Sequence, residues 1–251
     1  MNIVIFDTET TNLDKPFCYN IGYAIFNTET QQCLVAKDFV VEQIWHNKPL
    51  FETAYYAEKR PIYVARMKAR KTIMDKFGYI TQEMIRDFKA FDVAQAYAYN
   101  SPFDERVFQW NCDWFKCNNP FDNIPIYDIR GYVHSKIVFT DEYKAFAEEN
   151  QLFTESGNYS TTAEALFKYI DKNVDFEEEH TALADSMIEA KILFECVHRG
   201  CTYGKDYKVY RSIPRDVERE LTIIYGENKK EYVFKYNKRT NRDGGNRIFL
   251  K

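Results

Sequence analysis

The hydrophobic pattern opens with an unbroken apolar run, Ile3 to Phe6, and continues with strand-like stretches at Tyr19 to Asn27 and Cys33 to Val41. The polar stretch Thr28-Glu29-Thr30-Gln31-Gln32 between the last two predicts a hairpin loop. From Phe51 to Phe91 the pattern turns charged and helical, with the basic run Arg66 to Lys71 and no Gly or Pro between Tyr63 and Phe77. Val93 to Tyr99 predicts a fourth strand, and the chain then turns at Asn100-Ser101-Pro102 into a helix over Phe103 to Phe115. Ser101 fits its N-cap and Pro102 its first helical position, while Asp104 and Glu105 meet the positive end of the helix dipole. A short strand around Pro125 to Ile129 and helices at Thr162 to Asp171 and Thr181 to Val197 complete an α/β order.

Beyond Gly200 basic, Tyr and apolar residues alternate. Strands are expected at Leu221 to Tyr225, Glu231 to Tyr236 and Arg247 to Leu250, with Asp243-Gly244-Gly245 turning between the last two. The expected partition is therefore a core over residues 1–204 and a small basic β-rich C-terminal appendage over residues 205–251.

Charge sharpens that partition. Residues 205–251 hold 13 Lys and Arg against 7 Asp and Glu, +6, and residues 1–204 hold 21 against 31, −10. A net charge of −4 speaks against a protein that coats nucleic acid through phosphate contacts, yet suits an enzyme that grips one chain end beside a local basic surface. With 45% hydrophobic and 29% charged residues and no run near ~18 apolar residues, no membrane span is expected. The apolar run after Met1 and Asn2 lacks the charged flank and length of a signal peptide, so a cytoplasmic location is expected. The six scattered cysteines are expected as reduced thiols rather than a disulfide framework.

Three short segments carry candidate chemistry. Asp7 and Glu9 lie two residues apart at the end of an apolar strand, so both carboxylates project to one face and repel unless cations bridge them; oxygen donors of this kind select Mg²⁺ or Mn²⁺. Asp104 sits in the first turn of a helix that follows a central strand, where ligands collect in open sheets. His180 and Asp185 are five residues apart, about 140° on a helix, so they face one site only if His180 precedes the helix on its entry loop. There an imidazole with a pKa near ~6.5 is suited to take a proton from water at neutral pH. The chain lacks a nucleophile elbow, zinc-protease histidine spacing, and phosphate-loop or dinucleotide glycine signatures.

Phe6-Asp7-Thr8-Glu9-Thr10-Thr11-Asn12-Leu13, Asn100 to Asp104 and His180 to Asp185 together match, in order, the three motifs Phe-Asp-x-Glu-Thr-x-x-Leu, Asn-x-x-Phe-Asp and His-x-Ala-x-x-Asp. In this the sequence resembles the DEDDh, ribonuclease T-like branch of the 3′-to-5′ exonucleases over roughly residues 3 to 195. The sister branch has a tyrosine four residues before the last aspartate, where this chain has Thr181. Tyr99 stands where many relatives carry histidine.

The resemblance implies a ribonuclease H-like mixed five-stranded sheet flanked by helices, with Asp7, Glu9, Asp104 and Asp185 around two divalent ions, Mg²⁺ or Mn²⁺, and His180 as general base. It places Thr8 and Thr10 beside the terminal nucleotide, makes Asn100 a support of the site, and implies a single-stranded DNA or RNA 3′ end as partner, with a replication or repair protein as a further one. The expected activity is release of nucleoside monophosphates from the 3′ end of DNA, of proofreading or repair type, with trimming of RNA as the alternative. An inactive binding module is disfavoured because all five site residues are present.

Overall fold

In the computed structural model, which describes residues 1–215, 217–225 and 228–236, the opening apolar run lies inside a mixed sheet. β1 (Asn2–Thr10), β2 (Cys18–Asn27) and β3 (Cys33–Val41) pair antiparallel, with the polar loop closing the hairpin between the last two. Then come α1 (Glu42–Trp45), α2 (Lys48–Phe51), one 3₁₀ turn over Ala57–Lys59, α3 (Arg60–Lys68), β4 (Ile73–Asp75), α4 (Phe77–Ala90), β5 (Val93–Ala98), α5 (Ser101–Phe115), β6 (Ile126–Asp128) and α6 (Ile129–Lys136). Downstream lie α7 (Asp141–Glu149), α8 (Ala163–Asp171), α9 (Ala182–His198), β7 (Val217–Tyr225) and β8 (Asn228–Tyr236).

The sheet order is β4-β3-β2-β1-β5-β6, and β2 alone runs against the rest. The expected helix-flanked mixed sheet is thus present, with six strands rather than five. The added edge strand, β4, lies in the stretch predicted as helical. It spans three residues paired to Phe39, Val40 and Val41, too short to show a strand period.

Alternation along β1 sorts the two faces of the sheet. Val4 and Phe6 join the core cluster with residues of α4 and α5, and the Phe6 ring meets Phe108 edge-on at 5.8 Å. Ile3 pairs in register with Phe26, whose ring packs on Phe194 of α9 at 5.3 Å, so odd positions of β1 face α9. The same alternation sends Asp7 and Glu9 toward α9 and Thr8 toward α5.

How closely α9 approaches the sheet depends on Gly22, the register partner of Asp7. A Cβ there would overlap the backbone of Ala182 and Leu183, so only glycine lets the first turn of α9 sit directly on β2. Ser186 Oγ donates to the Gly22 carbonyl at 3.2 Å. Thr181 occupies the N-cap position but makes no side-chain cap bond; the buried Asn20 of β2 replaces it, accepting the Ala182 N–H at 2.8 Å. Asn20 is itself held by its donations to Asp38 Oδ1 and the Phe39 carbonyl.

The chain divides into two compact units, residues 1–137 with 162–209, and residues 138–161 with 210–251. In the second, Thr140 caps α7 through the Tyr143 N–H, and Arg215 grips Glu148 with two bonds of 2.8 and 2.6 Å while its guanidinium lies 3.7 Å from the Phe153 ring centre. β7 and β8 pair antiparallel from Val217↔Tyr236 to Tyr225↔Asn228 and contain the strands expected at Leu221 to Tyr225 and Glu231 to Tyr236. The expected Arg247 to Leu250 strand and Asp243-Gly244-Gly245 turn lie outside the described residues. Among the described residues all six cysteines are free thiols, and no helix is long and apolar enough to cross a membrane.

The close approach at Gly22 is directly testable. Gly22→Ala should lower the unfolding free energy by about 2 kcal/mol or more, the scale of an overpacked core, because backbone rather than a flexible side chain must yield. Chemical denaturation measures it, and an unchanged midpoint contradicts the packing described.

Candidate active site

Three separated segments meet on the α9 side of β1. Asp7 and Glu9 come from the strand, Asp185 from the first turn of α9, and His180 from the loop that enters that helix. Glu9, His180 and Asp185 each offer a ligand atom, and these atoms all lie within 4.8 Å of one another. Asp7 and Asp104 fall outside that trio but act on it electrostatically, since both raise the Glu9 carboxyl.

Asp104 reaches the group through Thr8. The Thr8 hydroxyl donates to Asp104 Oδ1 at 2.6 Å, joining β1 to α5. The helix start differs from the expectation that Ser101 caps it. Asn100 occupies the N-cap with left-handed φ 66° and no side-chain cap bond, while Ser101 begins the helix and its Oγ donates to Glu105 at 2.9 Å. The Asn100 N–H donates to Asp128 Oδ1 at 2.9 Å and its side-chain oxygen accepts from Arg130 at 2.8 Å, so Asn100 is tied to the β6–α6 junction. Thr10 Oγ makes only a long 3.4 Å turn bond to the Asn12 carbonyl. Thr8, Glu9, Thr10 and Leu13 line a cleft of about 710 Å³ together with Thr53, Tyr55, Tyr56 and Phe103; Asn100 is not part of its wall.

His180 precedes α9 in a left-handed conformation, φ 52°. Its ring stacks on Tyr56 at 4.3 Å and 13°, and Nδ1 lies 3.6 Å from Glu178 Oε2. The Tyr63 hydroxyl donates to the His180 carbonyl at 3.3 Å, and Lys59 Nζ donates to the preceding carbonyl, of Glu179, at 2.7 Å.

Burial and mutual repulsion dominate the electrostatics. Burial pushes Asp185 up to about 9, with Asp7 and Glu178 adding to it, and Asp104 up to about 7 against the opposing Thr8 hydroxyl. Asp7 and Glu9 are raised by burial and then by neighbouring carboxylates, with Lys59 opposing at Glu9. Burial and then Lys59 lower His180, which favours the neutral imidazole. Sequence reasoning missed Glu189, buried on α9 one turn beyond Asp185. Its Oε2 accepts the Tyr99 N–H at 3.1 Å, and its carboxyl is raised by burial, Asp7, Asp104 and Asp185.

The donor set fits a divalent cation. Oxygen donors predominate, and Asp185 Oδ1 is buried without a hydrogen-bond partner among the described residues.

No model of a known protein family matches the sequence, and no curated protein does. Solved structures do. One reporting 3′-end-specific recognition of histone mRNA stem-loop by a 3′-exonuclease superposes with a TM-score of 0.51 at 14% identity, over 92% of this chain and 70% of that one. The nuclease domain of 3′hExo, a DEDDh family member, bound to rAMP, gives 0.49 at 14%, over 84% and 97%. E. coli exonuclease I in complex with a dA16 oligonucleotide gives 0.45 at 14%, over 78% and 43%. The architecture is that of a ribonuclease H-like α/β fold, shared with the first of these exonucleases.

Raised carboxyl pKa values have a definite sign. Such a group favours the folded state below its unfolded pKa, near ~4, and that stability is lost as pH rises through the folded value, about 7 for Asp104 and about 9 for Asp185. The metal-free melting midpoint should therefore fall between about pH 5 and pH 9, less steeply in Asp185→Asn, and Mn²⁺ at pH 8 should raise it in the native chain. A midpoint that climbs across that window contradicts the electrostatics.

Proposed function

We propose that the chain is a metal-dependent 3′-to-5′ exonuclease that releases nucleoside monophosphates from a DNA 3′ end. The observation that carries this reading is the convergence of Glu9, His180 and Asp185 within 4.8 Å, with the half-buried Asp7 and the buried Asp104 acting on Glu9 beside them. RNA is a second reading, to which the likeness to a 3′-exonuclease reported to recognise a histone mRNA stem-loop points.

Asp7, Glu9, Asp104 and Asp185 would hold two divalent ions. When bound, such ions neutralise the carboxylates and stabilise negative charge on attacking and leaving phosphoryl oxygens. His180, kept neutral by burial and Lys59, accepts the proton of the water that attacks the terminal phosphorus, and the O3′–phosphorus bond breaks, the O3′ of the shortened strand taking a proton from solvent. Thr8 keeps Asp104 in place through its hydroxyl. The cleft supplies Tyr55, highly exposed, together with Phe103, aromatic faces on which an unpaired terminal base stacks. A replication or repair protein and a cytoplasmic setting belong to the same reading.

End-labelled DNA and RNA, single- and double-stranded, assayed with Mg²⁺ or Mn²⁺, test polarity, sugar and strandedness together. Stepwise release of mononucleotides from the 3′ end is expected. Asp7→Ala and Asp185→Ala should abolish it in a folded protein. His180→Ala should lower kcat by about 10² or more with little change in binding. Full activity in either aspartate variant would sink the assignment.

A further inference from the structure

His180 carries the proposed proton transfer, yet nothing in its own motif fixes the direction of its ring. The backbone around it is secured from the segment just before and within α3: Lys59 Nζ donates to the Glu179 carbonyl at 2.7 Å, and the Tyr63 hydroxyl shares its proton between Asn20 Oδ1 at 3.1 Å and the His180 carbonyl at 3.3 Å. Arg66 adds a third hold, its guanidinium donating to Glu179 Oε1 at 3.0 Å. These bonds fix the peptide, which needs fixing because His180 holds φ 52°, a region unfavourable to residues with a Cβ. They leave the imidazole free to rotate about χ1 and χ2.

Beyond the Glu9 and Asp185 carboxylates, two contacts among the described residues act on the ring itself. The Tyr56 ring lies parallel to it, 4.3 Å between centroids and 13° between planes, and the Glu178 carboxylate lies 3.6 Å from Nδ1. The second distance is too long for a hydrogen bond, so it does not lock the ring. The stack is the contact that stops rotation. Tyr56 is in turn buttressed: Tyr55 meets it edge-on at 4.8 Å, and Lys59 Nζ sits 5.1 Å from its ring centre.

We propose that Tyr56 is a positioning residue for His180: its ring holds the imidazole with one nitrogen against the Glu9 and Asp185 carboxylates, so that the base is aimed before substrate arrives. This rests on the exonuclease reading above. The Tyr56 hydroxyl has no part in it; the aromatic face does the holding. Tyr56 lies outside all three motif segments, between α2 and α3, and the role is a property of this chain's own loop.

The full-length chain and its Tyr56→Ala and Tyr56→Phe variants test it by two readouts. In the NMR spectrum of the native protein the imidazole protons of His180, assigned by their loss in His180→Ala, should be shifted upfield by the Tyr56 ring. The shift should vanish in Tyr56→Ala and persist in Tyr56→Phe. In single-turnover kinetics Tyr56→Ala should lose about tenfold in rate at saturating substrate, equivalent to about 1.4 kcal/mol, with KM changed less than rate, and Tyr56→Phe should restore it. Retention of the ring shift or of the rate in Tyr56→Ala overturns the inference. So does an equal loss in Tyr56→Phe, which points to the hydroxyl. An inactive native protein removes the exonuclease reading, and the NMR readout still decides whether Tyr56 holds His180.

Discussion

Carboxylates crowded into surroundings poor in water repel one another, and the packing around them has to overcome that repulsion. Asp7, Glu9, Asp104, Asp185 and Glu189 influence one another's protonation from one neighbourhood, and Lys59 opposes the charge at Glu9 and Asp185. Two such charges at about 5 Å repel by roughly 3 kcal/mol at an effective dielectric near ~20. That exceeds the roughly 0.3 to 1 kcal/mol a helix N-terminus returns to Asp104 or Asp185. Local helix preference therefore does not explain the arrangement, and rigid packing has to impose it. β1 is anchored by Val4 and Phe6 in the core, and α9 is seated on the bare backbone of Gly22.

The two faces of β1 divide the work. Odd positions present Asp7 and Glu9 to α9, while Thr8 turns toward α5 and holds Asp104. One strand thus meets carboxylates from helices on both sides, and the period of two in its side chains makes that possible. The entry loop of α9 is fastened from a third direction. Arg66 bridges Asp38 and Glu179, so the buried polar network around Asn20, Asp38 and Thr72 connects the sheet to the peptide that carries His180.

Much of this was legible in the sequence because the signals were local. Alternation and apolar runs marked β1, β2, β3 and β5, and β3 falls on the expected residues. The five-residue spacing of His180 and Asp185 required the histidine to lie before the helix, and it does. What was missed depends on partners distant in sequence. Asn20 caps α9 across 162 residues, a relation that no cap motif at Thr181 encodes. β4 exists only through its pairing with β3. The Tyr56 stack unites a loop tyrosine with a histidine far along the chain. Glu189 had a signal that went unread. It shares the buried stripe of Ala182, Ser186, Leu193 and Cys196 on α9, where a charge needs a reason.

We propose that this half-buried acidic group binds divalent cations. Anomalous diffraction at the manganese edge, from crystals of the full chain grown with Mn²⁺, tests it most directly. The account predicts manganese peaks against Glu9 and Asp185, with Asp7 or Asp104 among the ligands. Manganese absent from that cluster at millimolar concentration, or bound only at surface acids, would contradict it.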